Sequence, residues 1–130
     1  MQGKHLYEYA VIRIMPRVER EEFFNAGVII YCAGKKFLDV EYFIDPAHVA
    51  SFKLDLEMMD LENYLQVFQS IARGGKGSGT IGQYSPAERF RWLTAKRSTV
   101  LQTSKVHPGF CDNPSAKLLD LFEKLVLNNG

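Results

Sequence analysis

Two strand-like segments joined by a short turn place the first constraint on the fold of this chain of 130 residues. Residues 22–32 contain an apolar centre, Val28-Ile29-Ile30, which is typical of a strand covered on both faces. After the turn at 33–35, residues 36–44 alternate, with polar Asp39 and Glu41 between apolar positions. The apolar positions are Leu38, Val40, Tyr42 and Ile44. This pattern predicts a hairpin with one covered face, and therefore a sheet that is at least partly antiparallel.

The pattern changes from strands to helices at Asp45. An earlier strand is predicted over residues 6–15, ended by Pro16 because proline cannot donate a ladder hydrogen bond. Capping residues and apolar spacing then predict helices from Asp45-Pro46 to about Leu54, from about Leu56 to Arg73, from Ser85, and from Asn113-Pro114. The last helix has an apolar stripe of Leu118, Leu119, Phe122, Leu125 and Val126. Residues 98–106 are predicted to be extended, and the glycine-rich segment 74–84 to be a flexible connector.

This order of elements predicts one α+β domain over residues 1–130: a small, mainly antiparallel sheet with helices packed on one face. With 46% apolar and 24% charged residues the composition is globular, which excludes disordered and fibrous classes. The longest apolar run, residues 26–33, is too short to cross a bilayer, and no apolar signal-peptide core follows Met1. Two cysteines cannot form a disulfide framework. We therefore expect a cytoplasmic protein with no membrane segment.

The charge of the chain is unevenly distributed although the net charge is only +1. Residues 1–60 contain seven Lys/Arg and ten Asp/Glu, whereas residues 61–130 contain nine and five. Most of the positive excess lies in residues 73–107, where seven basic residues accompany only Glu88. An acidic first half and a basic later segment indicate electrostatic contact with a partner.

The strongest candidate site is a basic and aromatic stretch, residues 89–107. Its candidate site residues are Arg89, Arg91, Trp92, Lys96, Arg97, Ser98, Gln102, Ser104 and His107. Arginine and lysine bind phosphates or carboxylates, hydroxyl and amide groups orient them, and Trp92 is able to stack on a base. The stretch therefore predicts an anion or partner site. The alternative is structural ion pairing, with the aromatic residues packed in the core.

Two further candidates lie in the first half of the chain. Glu19 stands with Glu21 and Glu22 near Arg17, in the turn between the first two strands. Such acids serve metal-dependent hydrolases, but a solvated, self-neutralising turn has the same composition. Asn25 begins the sequence Asn-Ala-Gly inside a strand, which predicts a bulge or a close backbone approach, with a site role equally open.

Weaker motifs are set against these candidates. Cys32, His107 and Cys111 are a conceivable metal set, and Cys111 with His107 a conceivable nucleophile pair, but no Cys-x-x-Cys or second histidine accompanies them. Buried, structural cysteines are the favoured interpretation. The glycine segment lacks the spacing of a phosphate-binding loop, and it follows a helix rather than a strand. We therefore predict neither a metal nor a cofactor.

Several segments together resemble a known family. They are Tyr7-Glu8-Tyr9-Ala10-Val11-Ile12-Arg13, residues 16–23, Asn25-Ala26-Gly27-Val28, residues 86–93, Arg97-Ser98-Thr99-Val100 and residues 102–107. They are similar to the bacterial "domain of unknown function 3037" family over about residues 7–126, with Ala26 where that family usually has valine. The resemblance implies a small bacterial protein of no established activity. It also implies a partner, because genes of the family lie beside genes for HipA-like kinases.

The leading hypothesis from the sequence is a cytoplasmic, non-enzymatic accessory or protein-interaction module whose partner is kinase-like. Its contact surface would be residues 89–107, and a homo-oligomer remains open. The alternative is a nucleotide or nucleic-acid binding protein in which Arg91, Lys96 and Arg97 hold phosphates and Trp92 stacks on a base. There, Glu19 or His107 would supply acid-base chemistry. A third, weaker hypothesis is a metal enzyme that uses Glu19, Glu22 and His107.

Overall fold

A computed structural model describes residues 4–17, 22–52, 58–97 and 99–128 of the chain. Five strands are present in the described residues: β1 (His5–Arg17), β2 (Glu22–Cys32), β3 (Phe37–Tyr42), β4 (Leu101–Thr103) and β5 (His107–Cys111). Four α-helices accompany them: α1 (Pro46–Phe52), α2 (Met58–Arg73), α3 (Pro86–Leu93) and α4 (Pro114–Phe122). Helix α4 continues directly into a π-helical segment, Glu123–Leu127. None of the helices in the described ranges is long and apolar enough to cross a membrane.

Strand β1 is the centre of an antiparallel sheet. One edge of β1 pairs with β2, and β2 pairs with β3. The other edge is shared by two short strands, with β4 beside residues 12–14 and β5 beside residues 5–9. Ser104 joins the two, because its hydroxyl accepts a hydrogen bond from the Val11 amide (2.9 Å) and its own amide donates to the Val11 carbonyl (2.8 Å). The ladder along β1 is thereby continued between β4 and β5.

Two apolar clusters lie on opposite faces of this sheet. Ala10, Ile12 and Ile14 of β1 belong to the larger cluster, with α2 and α3, while Tyr7 belongs to the smaller cluster, with α4. Successive residues of a strand point to opposite faces, so the two clusters lie on the two sides of β1. The α+β class and the mainly antiparallel sheet are confirmed. One correction is needed: α2 and α3 share one face as expected, but α4 covers the other, because β2 is apolar on both sides.

A bulge in β2 sets the face of the sheet on which the β2 side chains before Gly27 lie. Ile12 pairs with Gly27 and Arg13 pairs with Asn25, so Ala26 is one extra residue on β2. A Cβ on Gly27 would lie 2.7 Å from the backbone carbonyl oxygen of Glu41 on β3. Both features expected from the Asn-Ala-Gly sequence, a bulge and a close backbone approach, are therefore present.

Local sequence signals located most element boundaries. Strand β2 has the predicted ends, and the predicted caps are formed by Asp45, Ser85 and Asn113, each accepting from a backbone amide of its helix. Strand β1 continues past Pro16 to Arg17, because the pairing with β2 shifts register between Ile14 and Arg17. In the described part of the predicted extended segment, residues 99–106, the only strand is the short β4, and β5 was not predicted. Within the predicted apolar stripe of α4, Leu119 is 54% exposed, and Leu121 is the buried residue instead.

Candidate functional site

The basic and aromatic stretch at residues 89–107 does not form one continuous surface. Leu101 pairs with Ile14, whose side chain packs with α2 and α3 in the larger cluster. Gln102 pairs with Arg13, so it lies on the opposite, α4 face, and His107 pairs with Tyr9 on that same face. The structure therefore divides the sequence-predicted residues between two faces of the sheet.

Arg89 connects the end of α2 to the start of α3. Its guanidinium donates to the carbonyl of Tyr84 (2.8 Å), just before α3, and to the carbonyl of Ala72 (3.4 Å), at the end of α2. It lies so close to Gly74 that a Cβ there would be 2.8 Å from the Arg89 Nη1 atom. Arg89 thus satisfies carbonyl groups that a helix end leaves without partners, which is a structural role.

Trp92 and Arg97 form a pair at the end of α3. The guanidinium carbon of Arg97 lies 4.2 Å from the centroid of the Trp92 ring, and Arg97 also donates to the Trp92 carbonyl. Contact of a guanidinium with an indole face is a favourable cation–π interaction. Thr94, Ala95 and Lys96 form the turn that brings Arg97 back to Trp92. Burial of the guanidinium lowers the pKa of Arg97 from its ordinary value. No carboxylate pairs with Arg97 among the described residues.

This pair borders an apolar groove between α2, α3 and the segment leading into β4. The groove has a volume of about 650 Å³. Its wall consists mainly of apolar side chains: Tyr64, Val67, Phe68 and Ile71 of α2, Trp92 of α3, and Val100 and Leu101, with Arg97 and Thr99 as the polar members. We call this feature the apolar groove. Sequence reasoning identified Trp92 and Arg97 but missed the wall formed by α2. The signal in the sequence was that Tyr64 and Val67 are apolar although they lie outside the stripe of α2 that faces the core.

Two further cations stand near the groove. Arg91 is exposed on α3, and Lys96 is exposed in the turn that follows. Neither side chain forms an ion pair or a hydrogen bond within the described part of the chain. Arg91, Lys96 and Arg97 therefore give this end of α3 a positive charge that the described residues do not neutralise.

The remaining predicted residues lie elsewhere. Ser104 is buried, and its hydroxyl accepts from the Val11 amide and donates to the Lys105 carbonyl, which is a role in the ladder. The exposed ring of His107 lies 5.4 Å from that of Tyr9. Gln102 donates to the carbonyl of Thr99 (2.8 Å). Glu19 and Ser98 lie outside the described residues, as does the side chain of Arg17.

On the α4 face, three polar residues lie side by side on neighbouring strands. Arg13 of β1 is directly opposite Asn25 of β2 and Gln102 of β4. We call these three residues the polar row. The Arg13 guanidinium stacks on Phe23 at 4.2 Å, and the Asn25 amide donates to the carbonyl of Leu125 at 2.9 Å. Arg13 was not singled out from the sequence, because only the bulge in β2 places Asn25 opposite it.

The proposed metal sets are not brought together. His107 pairs with Tyr9, whereas Glu22 pairs with Arg17, so the two lie about eight strand residues apart, or roughly 26 Å. Across the described ranges, no three His, Cys, Asp or Glu side chains are grouped as metal ligands would be. Cys32 and Cys111 are both buried free thiols. Burial raises the pKa of Cys111, which disfavours the thiolate that a nucleophile needs.

Comparison with known proteins gives one match. A family model described as "Protein of unknown function (DUF3037)" matches residues 9–126, nearly the whole chain. No curated protein and no solved structure matches the chain.

Proposed function

We propose that this chain, which belongs to the DUF3037 family of proteins of unknown function, is a protein-interaction module that binds an apolar, acidic segment of a partner protein in the apolar groove. The observation that carries the proposal is an open apolar groove bordered by a cation without a carboxylate partner among the described residues. The family resemblance suggests that this partner is a kinase-like protein.

The apolar part of the argument rests on exposure. Tyr64 is 48% exposed, Val67 58% and Trp92 40%, although all three are large and apolar. They border a single groove, whereas exposed apolar residues on a typical surface are scattered. On α2 the wall residues Tyr64, Val67, Phe68 and Ile71 follow the i, i+3, i+4, i+7 spacing of one helix face. Such a face supplies the apolar wall into which a partner's side chains pack.

The electrostatic part of the argument defines the partner's charge. Arg97 lines the groove, and Arg91 and Lys96 are the chain neighbours of its lining residues Trp92 and Arg97. No carboxylate among the described residues pairs with these three cations. A partner segment with carboxylates beside its apolar anchor would complement them, increasing association rate and specificity. The apolar anchor would supply most of the binding energy, because buried apolar anchors dominate interfaces and exposed charges contribute little.

The test compares two substitutions of exposed apolar residues. Val67→Glu places a carboxylate in the apolar groove, and Leu119→Glu places one at a similarly exposed position on α4, on the other face of the sheet. We expect wild type and Leu119→Glu to capture the same protein from the source cells at high salt. Val67→Glu should reduce that capture by about tenfold or more, because a buried anchor contact is lost. A purified HipA-like kinase is then titrated directly by calorimetry.

Two results would contradict this proposal. Equal capture of the partner by Val67→Glu and by wild type would place the interaction outside the groove. Absence of any protein held by wild type but released by Val67→Glu would remove the support for an interaction module. Circular dichroism and thermal unfolding of both variants establish that the fold survives, as expected at positions that are about half exposed.

A second candidate, nucleic-acid binding, is favoured by the same three cations beside a half-exposed Trp92. One face of that ring already carries Arg97, so stacking on a base would use the other face or displace Arg97. Binding through phosphates weakens steeply with salt, whereas an apolar anchor does not. A salt titration with single-stranded DNA therefore separates the two functions, and Arg91→Gln should reduce the salt dependence only if phosphates are bound.

A further inference from the structure

The α4 face of the sheet has a feature that an interaction groove does not require. In the polar row, the Nε atom of Arg13 and the Oδ1 atom of Asn25 are both buried, and neither has a hydrogen-bond partner among the described residues; the same holds for the Nε atom of Arg89 on the other face. These two residues are directly opposite each other on β1 and β2. Buried polar atoms are nearly always hydrogen-bonded, and leaving one without a partner destabilises the fold. An unpaired donor and an unpaired acceptor on adjacent strands are two functions that a single group able both to accept and to donate would satisfy.

The bulge in β2 creates this arrangement. In a regular ladder without the bulge, the pairing of Ile12 with Gly27 would place Ala26 opposite Arg13 and Asn25 opposite Ile14. Asn25 would then point into the larger apolar cluster on the α2 face, because a shift of one residue reverses the face. Because of the bulge, the Asn25 side chain lies on the α4 face beside Arg13 and not in the core. Bulges are frequent beside functional sites, where they redirect a side chain.

The orientation of the neighbouring amides determines what remains free. Asn25 uses its nitrogen to donate to the Leu125 carbonyl, and Gln102 uses its nitrogen to donate to the Thr99 carbonyl. Both residues therefore turn their amide oxygens, which are acceptors, away from those bonds. The Leu125 carbonyl, in the middle of the π-helical segment, accepts this hydrogen bond from Asn25.

Arg13 supplies the positive charge of the polar row. Its guanidinium is held against the ring of Phe23 at 4.2 Å, and no carboxylate pairs with it in the ranges that the structure describes. An arginine fixed by stacking and not neutralised is well suited to bind an oxyanion, since its donors match the oxygens of a phosphate or carboxylate.

From these four observations we propose that the polar row binds a phosphate group that carries its own proton. A phosphate oxygen accepts from Arg13, and the P–OH group donates to the Asn25 amide oxygen. Sulfate has the same shape but no proton at neutral pH, so it would leave the Asn25 oxygen without a donor and place an anionic oxygen against it. The site therefore distinguishes phosphate from sulfate by a single hydrogen bond. This proposal is independent of the apolar groove, which lies on the other face.

The experiment titrates the full chain with inorganic phosphate and, separately, with sulfate at the same ionic strength. The ¹H–¹⁵N signal of the Arg13 side-chain Nε–H group reports directly on the atom that lacks a partner. We expect phosphate to shift this signal saturably and to bind about tenfold or more tightly than sulfate, the effect of one hydrogen bond to a buried acceptor.

Variants locate the binding on the polar row. Arg13→Gln should weaken phosphate binding by roughly 10- to 100-fold, as expected for loss of a charge-assisted bond. Gln102→Glu, which changes no volume, should weaken it through repulsion. Lys76→Gln removes an exposed positive charge just after α2, outside both proposed sites, and is the control that should bind phosphate as wild type does. Asn25 is left unchanged, because its nitrogen holds the Leu125 carbonyl and its replacement would affect the fold.

Three results would overturn the proposal. One is equal affinity for phosphate and sulfate. Another is unchanged phosphate binding in a folded Arg13→Gln variant. The last is an Arg13 Nε–H signal that neither anion moves, in which case ordered water satisfies the two buried atoms.

Discussion

The two faces of the sheet depart from ordinary protein surfaces in opposite ways. On the α2 and α3 face, large apolar side chains remain exposed around the apolar groove. On the α4 face, a donor of Arg13 and an acceptor of Asn25 are buried on adjacent strands, and neither has a partner among the described residues. Exposed apolar surface and buried unpaired polar atoms are both unfavourable for a chain that acts alone. The comparison teaches that one small sheet can present two chemically different surfaces, one apolar and one polar, on its two faces.

The two apolar clusters also differ in size, and a pair of truncations measures the difference. Leu65 of α2 is fully buried in the larger cluster, and Leu121 of α4 is nearly buried in the smaller one. We expect Leu65→Ala to lower the free energy of unfolding by about 4 kcal/mol and Leu121→Ala by about 2–3 kcal/mol, because the larger cluster has less freedom to collapse on a cavity. Urea unfolding measures both. A larger loss for Leu121→Ala would reverse the ranking of the two faces.

A substitution at Gly27 tests the backbone contact beside the bulge. Its Cβ would lie 2.7 Å from the Glu41 carbonyl oxygen and 3.0 Å from Tyr42 Cβ, so β2 and β3 would have to separate. We expect Gly27→Ala to lower the free energy of unfolding by about 2 kcal/mol. Gly34→Ala is the matched control, since its Cβ would be an ordinary 3.6 Å from His5 Nδ1. Equal stability of the two variants would show that the close approach does not constrain the register.

The smallest expected effect is a pH dependence on the α4 face. Burial, with contributions from Cys32 and Asp112, raises the pKa of the Cys111 thiol in the folded chain. The unfolded thiol therefore loses its proton first. Stability is unaffected below the ordinary thiol pKa of about 8.5 and falls as the pH rises from there to the folded-state value. Urea unfolding between neutral and alkaline pH should show a shallower decline for Cys111→Ala than for wild type. Identical declines would contradict the assignment to Cys111.

Features written in consecutive residues could be predicted from the sequence. The cap formed by Ser85 and Glu88, and the alternation of Leu38, Val40 and Ile44, depend on neighbours a few residues away. These short-range relations predicted the class of the fold and most boundaries of the elements.

Features that depend on which strands become neighbours could not be predicted. The face that α4 covers, and the division of residues 89–107 between two faces, follow from the pairing of β1 with β4 and β5. The polar row needs a second step, because one extra residue in β2 reverses the direction of Asn25. The Asn-Ala-Gly sequence indicated the bulge, but not that Arg13 would be its partner. Trp92 and Arg97 were found because arginine and tryptophan are recognisable wherever they lie.

The two hydrogen bonds of Arg89 have a consequence for the segment they enclose. One side chain joins the end of α2, at the Ala72 carbonyl, to the start of α3, at the Tyr84 carbonyl. The glycine-rich segment, residues 74–84, thus begins and ends next to carbonyl groups that Arg89 holds close to each other. Arg89 therefore joins α2 to α3 directly, in addition to the contacts of the residues between them, and contributes to the spacing of the helices and the width of the apolar groove. A reporter peptide or a protease site inserted after Gly79, beyond the turn in which Ser78 donates to the Gly75 carbonyl, should leave both helices in place, which makes this position suitable for labelling the protein.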